Sequence, residues 1–268
     1  MSSNQSQITC RCETLGHKCF VGRVVSDQGN GMLGKTVFLD QIIPGEEAHI
    51  EIVKDKRNYA HGSVLAVLSE SSERVKPPCE YFDACGGCDM QHIDVAAQRK
   101  FKREFVESSL LKKFGSLPKR GVVLAGEGLP SVHYRNRIQL HIDADGNTGF
   151  YRRGSRSIVA ISKCLIADRS LNEAIEKIQR IPKKELAAAV CIECLLGESV
   201  MVIVHPRRSH RQLPAHGFPL LKKQFPDLQI MSKSPGAGNV MSSFAQVNME
   251  GNKVLQACVR DLIEGKQI

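Results

Sequence analysis

The stretch that most restricts this chain is Cys79 to Gln91, C-E-Y-F-D-A-C-G-G-C-D-M-Q. Cys79, Cys85 and Cys88 follow one another at x5 and x2 spacing, directly after Pro77 and Pro78. A Pro-Pro pair places the first thiol on a loop. Gly86 and Gly87 between two of the thiols let the backbone turn tightly and bare its N–H groups, which suits sulfurs converging on one small object. Thiolates so spaced bind soft metals, as tetrahedral zinc or as an iron–sulfur cluster. Either needs a fourth ligand, and Cys164, far downstream in S-K-C-L-I-A, is the best candidate.

A metal site presupposes reduced thiols. Ten cysteines in 268 residues could mark a secreted disulfide scaffold, but Met1 to Gln7 is polar and no apolar signal core follows it. No apolar run is long enough to span a bilayer. The expectation is a cytoplasmic, monomeric protein with no membrane association. The net charge of +9 and pI near 9.1 favour a polyanionic partner, most simply nucleic acid.

The pattern C-x5-C-G-G-C-x2-Q with a lone distant cysteine resembles the bacterial RNA (uracil-5-)-methyltransferases. The resemblance implies a [4Fe-4S] cluster on Cys79, Cys85, Cys88 and Cys164. Two further segments agree with it. Tyr134 to Arg137 (Y-R-N-R) and Gly149 to Ser155 match motifs of the family's central domain, with Cys164 next in order. Ser242 to Asn248 (S-S-F-A-Q-V-N) is similar to the F-x-Q-x-N segment that opens the methyltransferase domain, which implies a cofactor-binding role for Gln246 towards S-adenosylmethionine.

The expected fold is mixed α/β. Residues 1–16 read as a flexible tail and 17–76 as a small β-barrel. Residues 77–235 read as a central α/β domain carrying the loop 79–91, and 236–268 as the start only of a Rossmann-like methyltransferase domain. The barrel rests on short β-branched strands (Cys19–Val25, Lys35–Asp40, Ala48–Val53, Gly62–Leu68) separated by Gly-, Pro- and Asn-bearing turns. Its order resembles a TRAM domain, an OB-like RNA-binding module. Cys10, Cys12 and Cys19 lack an evident fourth ligand and read as free thiols in a tail and a strand.

Candidate RNA contacts fall in two groups. Lys54, Lys56, Arg57 and Tyr59 combine charge for phosphates with one ring for a base. Arg135, Arg137, Arg152, Arg153 and Arg156, interleaved with Tyr134, Phe150 and Tyr151, are expected to cluster at a hairpin whose return strand runs from Gly149 to Ile161. For each group the plainer reading is a solvated basic turn. Between the barrel and this hairpin, Asp94 is a good N-cap for a helix to Phe114, ended by Gly115 and Pro118. Its expected apolar stripe is Val95, Phe101, Phe105, Leu110 and Phe114, with a basic opposite side.

Farther on, Leu171 to Ile181 reads as an amphipathic helix, followed by strands over Glu185–Leu196 and Ser199–Pro206. Cys191 and Cys194 spell C-x-x-C, but residues three apart on a strand face opposite ways, so they read as core thiols. His205, His210 and His216 lack regular ligand spacing. Gly236-Ala237-Gly238 is a lone G-x-G better read as a turn than as a cofactor loop.

The resemblance therefore implies the N-terminal portion of an S-adenosylmethionine-dependent enzyme acting on RNA, with 23S rRNA preferred over tRNA. Its catalytic cysteine, general base and cofactor loop are not found here, so no catalytic residue is assigned. A different class remains open, a non-enzymatic RNA-binding iron–sulfur or zinc module. A radical S-adenosylmethionine enzyme fits less well, since those space three cluster cysteines as C-x3-C-x2-C.

Overall fold

A computed structural model describes residues 8–119, 121–207, 217–230 and 247–264. The chain forms two compact units. One comprises Met1–Pro78 with Cys88–Leu124, the other Cys79–Gly87 with Ala125–Ile268.

The first unit is built on a closed five-stranded barrel. Its strands are β1 (Ile8–Leu15), β2 (Phe20–Ser26), β3 (Thr36–Leu39), β4 (Glu47–Asp55) and β5 (Tyr59–Ser69), in the order β1-β2-β3-β5-β4. Strands β3 and β5 run parallel and the other pairs antiparallel. Closure leaves no strand edge unpaired. Alternation puts Val37, Leu39, Ile50 and Ala60 inside, each at most 3% exposed. The helix α1 (Val95–Phe114) adds Ala97 and Phe101 to this core.

Residues 8–15 correct the expectation of a flexible tail over 1–16. Ile8, Cys10 and Cys12 point into the barrel while Arg11 and Glu13 point out, a strand's period of two. The buried thiols act as small hydrophobes. A second feature hidden from the sequence is the ion pair of Glu46 with Arg74. Glu46 is 1% exposed, and Arg74 grips both its oxygens at 2.7 and 2.6 Å. The same carboxylate accepts from the backbone N–H groups of Ile43 and Ser71.

Helix α1 keeps its expected bounds. The Asp94 side chain accepts from Ala96 N at 2.8 Å, and Gly115 closes the helix at φ 74°. Its apolar stripe is only partly used. Phe101 is buried, whereas Val95 and Phe114 are 40% and 64% exposed.

In the second unit, a six-stranded sheet has the order β11-β10-β9-β6-β7-β8. These strands are β6 (Arg137–Ile142), β7 (Thr148–Tyr151), β8 (Ile158–Ala160), β9 (Ala189–Leu196), β10 (Val200–Pro206) and β11 (Gln229–Ile230). The helices are α2 (Arg169–Gln179), α3 (Lys183–Leu186), α4 (Pro219–Gln224) and α5 (Met249–Ile263). One face of the sheet (Ile138, Leu140, Ile192, Cys194, Val202, Val204) packs with Leu171, Ala174, Ile175 and Ile178 of α2 and Leu221 of α4.

Two boundaries differ from expectation. The return strand over 149–161 is broken into β7 and β8 by a turn at Arg152–Ser157, where Gly154 has φ 67°. That turn is closed by Arg152 N donating to Ser157 O at 2.8 Å. The strand expected from Glu185 starts only at Ala189, because Pro182 opens the short helix α3 first. Helix α5 carries the expected apolar residues Leu255, Val259, Leu262 and Ile263, but none of its described residues is buried.

Candidate thiol site and nucleic-acid surfaces

Cys79 and Cys85 lie on a turn of the second unit. Phe82 N donates to Cys79 O, and both Ala84 N and Cys85 N donate to Tyr81 O. The turn is pinned to the β7–β8 hairpin by backbone bonds from Gly86 N to Tyr151 O (2.9 Å) and from Arg153 N to Ala84 O (3.0 Å). A Cβ on Gly86 would come within 3.3 Å of Tyr151 O and Arg153 Cα, so this close approach favours glycine. The Tyr81 hydroxyl meets Ser162 Oγ at 2.9 Å and accepts from Ser162 N at 3.1 Å, which ties the same turn to the segment leading to Cys164.

Cys164 is fixed by Asn172 of α2. Its N–H donates to Asn172 Oδ1 at 2.7 Å, and its carbonyl accepts from Asn172 Nδ2 at 3.1 Å.

The thiols of this unit share one electrostatic neighbourhood. Burial raises the pKa of Cys85, the Gly87 N–H that points at its Sγ (3.4 Å) lowers it, and the Cys79 thiol raises it. Burial also raises Cys164, opposed by the N–H groups of Ala167 and Ile166 and by Arg135, while Cys79 again raises it. Arg135 and Arg153 pull Cys85 down. Two thiols, Cys85 and Cys164, each faced by Arg135 and by aimed N–H groups, suit an anionic thiolate-bound group. Cys88, the remaining expected ligand, belongs to the first unit. Among the described residues, no group of three or more His, Cys, Asp or Glu side chains is arranged to hold a metal ion.

The C-x-x-C pair does not converge. Cys194 faces the α2 core, while Cys191 accepts a hydrogen bond from Gln139 Nε2 at 3.1 Å on the other side of the sheet. Both are buried, and none of the ten cysteines is disulfide-bonded. His205 lies 3.6 Å from Glu193, whereas His210, His216, the Gly236–Gly238 turn and Gln246 lie outside the described residues. Asn248 of the same F-x-Q-x-N segment caps α5, accepting from Gly251 N at 2.8 Å, and forms an isolated bridge with Arg135.

The expected arginine cluster divides. Arg137 pairs with Glu193 at 3.1 Å, and Arg153 lies over the Phe82 ring at 5.6 Å. Arg135 is half-buried and donates from Nε to Arg137 O. Arg152 and Arg156 stay exposed on the β7–β8 turn. The physical reason is that turn residues keep their cations in water, while a cation on an inner strand such as β6 needs a counter-charge.

In the first unit Lys54, Lys56, Arg57 and Tyr59 surround the β4–β5 turn, all exposed, with Lys56 N donating to Tyr59 O at 2.9 Å. Two rings that sequence reading missed, Phe38 and His61, stand beside Tyr59. Their outward phase was available, since Val37, Leu39 and Ala60 occupy the inward positions.

No family model matches this chain. It is 38% identical over 150 residues to the 23S rRNA (uracil(1939)-C(5))-methyltransferase RlmD of Chromohalobacter salexigens, covering 54% of this chain and 31% of that protein. It is 35% identical over 159 residues to an uncharacterized RNA methyltransferase of Clostridium tetani, covering 58% and 34%. The crystal structure of Pyrococcus abyssi tRNA (uracil-54, C5)-methyltransferase with S-adenosyl-L-homocysteine superposes with a TM-score of 0.50 at 21% identity, over 73% of this chain and 44% of that one. Over that part the chain is thus similar in fold to an RNA methyltransferase. By sequence, the chain is a relative of the RNA (uracil-C5)-methyltransferases, and the matched segment is about a third of the length of those curated relatives. Among the described residues no helix is long and apolar enough to cross a membrane.

Proposed function

We propose that this chain is the RNA-holding and cluster-bearing part of an S-adenosylmethionine-dependent RNA (uracil-5-)-methyltransferase acting on 23S rRNA. The observation that supports this reading is the turn bearing Cys79 and Cys85 pinned to the β7–β8 hairpin and, through Tyr81, to Ser162 two residues before Cys164, in a chain similar to such enzymes. In this reading the barrel is a TRAM-like module, and Cys79, Cys85, Cys88 and Cys164 hold a [4Fe-4S] cluster. Four thiolates leave no iron open to a substrate, so the cluster staples the loop to the sheet.

S-adenosylmethionine supplies the methyl group, and Gln246 is proposed to contribute to its site. The basic barrel turn and the exposed Arg152 and Arg156 hold the RNA backbone. In this reading the described residues bind and orient the RNA.

Anaerobic purification followed by iron and zinc analysis and a visible spectrum tests the reading. About four irons per chain, with a brown absorbance lost in Cys164→Ala, is the expected result. A colourless protein with one zinc would overturn the cluster and leave a basic zinc module.

A further inference from the structure

The outer wall of the barrel carries an ordered array of aromatic rings in two rows, each row ending in a lysine. Strand register sets it. Phe38 of β3 stands opposite His61 of β5, and His61 stands opposite Lys54 of β4. In the next outward row Tyr59 of β5 continues to Lys56, whose N–H donates to Tyr59 O as the β4–β5 turn closes. Cross-strand partners share a face, so both rows point away from the core formed by Val37, Leu39 and Ala60. Successive same-face rows lie about 7 Å apart along a strand.

The rings do not lie flat on one another. Phe38 and Tyr59 have centroids 5.4 Å apart at 67°, and Tyr59 and His61 are 5.6 Å apart at 79°. Phe38 and His61 are 5.4 Å apart. Tyr59 is 38% exposed, and His61 and both lysines are exposed as well. Exposed aromatic residues are few in this chain, where aromatics total 5% and tryptophan is absent. Three rings gathered on one barrel wall therefore do not follow from composition.

We infer that Phe38, Tyr59 and His61 form a stacking platform for unpaired bases of an RNA strand, with Lys54 and Lys56 on the adjoining phosphates. The chemistry selects single-stranded RNA. Stacked bases need an exposed ring face, which a duplex hides, and every base has one, so the platform reads strandedness rather than sequence. Charge complementarity points the same way, since each ring row ends in a cation and the chain carries +9 overall. This inference rests on the RNA-binding part of the proposed function and names a site for it on the barrel wall.

The test uses the full 268-residue chain and a short fluorescein-labelled oligouridylate, with a duplex RNA of equal length for comparison. Tyr59→Ala and His61→Ala alter exposed side chains, so each variant is first required to match the parent in thermal unfolding. Each is expected to weaken oligouridylate binding roughly 5- to 100-fold while leaving its salt dependence unchanged. Lys54→Gln with Lys56→Gln is expected to flatten the slope of log K against log salt by about 0.7 per lysine. Unchanged oligouridylate affinity in both ring variants would overturn the platform, and so would an equal loss on the duplex. Failure of the unaltered chain to bind any RNA would instead remove the RNA reading itself, and the platform with it.

Discussion

Asn172 holds Cys164 by both of its backbone groups. Its Oδ1 accepts from Cys164 N at 2.7 Å and its Nδ2 donates to Cys164 O at 3.1 Å. The same amide nitrogen reaches Ala167 O and Asp168 O, so one side chain on α2 sets the whole turn that presents the thiol.

Replacing Asn172 by Ala should therefore loosen Cys164 without touching sulfur. The expected cost is about 1–3 kcal/mol in stability, because half-buried backbone groups lose their partners. With the proposed cluster in place, iron retained per chain after gel filtration should fall as well. Asn172→Asp keeps the acceptor for Cys164 N but loses the donors, and should fall between. Equal urea midpoints and equal iron in Asn172→Ala and the parent would refute the role given to this side chain.

Glu46 should make the first unit acid-sensitive. Burial alone would raise its pKa, but Arg74 and the N–H groups of Ser71 and Ile43 outweigh that and hold it below the usual carboxylate range. A depressed folded pKa contributes stability that is fully present above the unfolded value, near 4.3, and lost as pH falls through the folded value. Unfolding midpoints of the parent should therefore drop on acidification below about pH 4.3. Glu46→Gln should be about 3–5 kcal/mol less stable at neutral pH, since Arg74 is left without its counter-charge, and its acid profile should be flatter. A parent and variant with parallel pH profiles would contradict this.

Thiol reactivity should sort by burial. Burial, with Glu13 adding to it, pushes Cys10 up to about 12, and burial with Glu193 pushes Cys194 up to about 12; Cys12 is raised too, by burial first. Brief iodoacetamide treatment of the metal-free protein at neutral pH, read by peptide mass spectrometry, should leave Cys10, Cys12 and Cys194 unmodified. Mild oxidation should yield no Cys191–Cys194 disulfide, because the two thiols lie on opposite faces of β9. Detection of that disulfide in folded protein would show the strand assignment to be wrong.

Arg207 should matter for stability although no motif marks it. Its Nη2 donates to Ile142 O, Asp143 O and Ala189 O at 2.9–3.1 Å, and its Nε donates to Ala187 O at 3.2 Å. It thereby ties the ends of β6 and β9 together. Arg207→Ala should cost about 2–3 kcal/mol, and Arg207→Lys should recover only part, because an ammonium cannot reproduce the planar fork. Urea denaturation of the three proteins checks the order.

Local chemistry carries a long way in this chain. Asp94 and Gly115 bound α1 because capping is settled within a few residues of each helix end. Cys79, Cys85, Cys88 and Cys164 were picked out by spacing and by resemblance, and the outward Lys54, Lys56 and Tyr59 by charge beside a ring. The segment Ile8–Leu15 was missed although its alternation is present in T-C-R-C-E-T. By sequence these thiols read as free in a loose tail, and only the barrel shows that Cys10 and Cys12 are core side chains.

By itself, then, the sequence determined helix ends, turn positions, the thiol spacing and a basic character, because each depends on neighbours a few residues away. Only the tertiary structure decided which cations remain in water. Arg137 and Arg152 look alike in the sequence, yet one meets Glu193 across the sheet and the other stays on a turn. The same holds for Phe38 and His61. They lie 23 residues apart and become neighbours only because β3 and β5 pair in parallel, a pairing that closure of the barrel imposes and that no local pattern encodes.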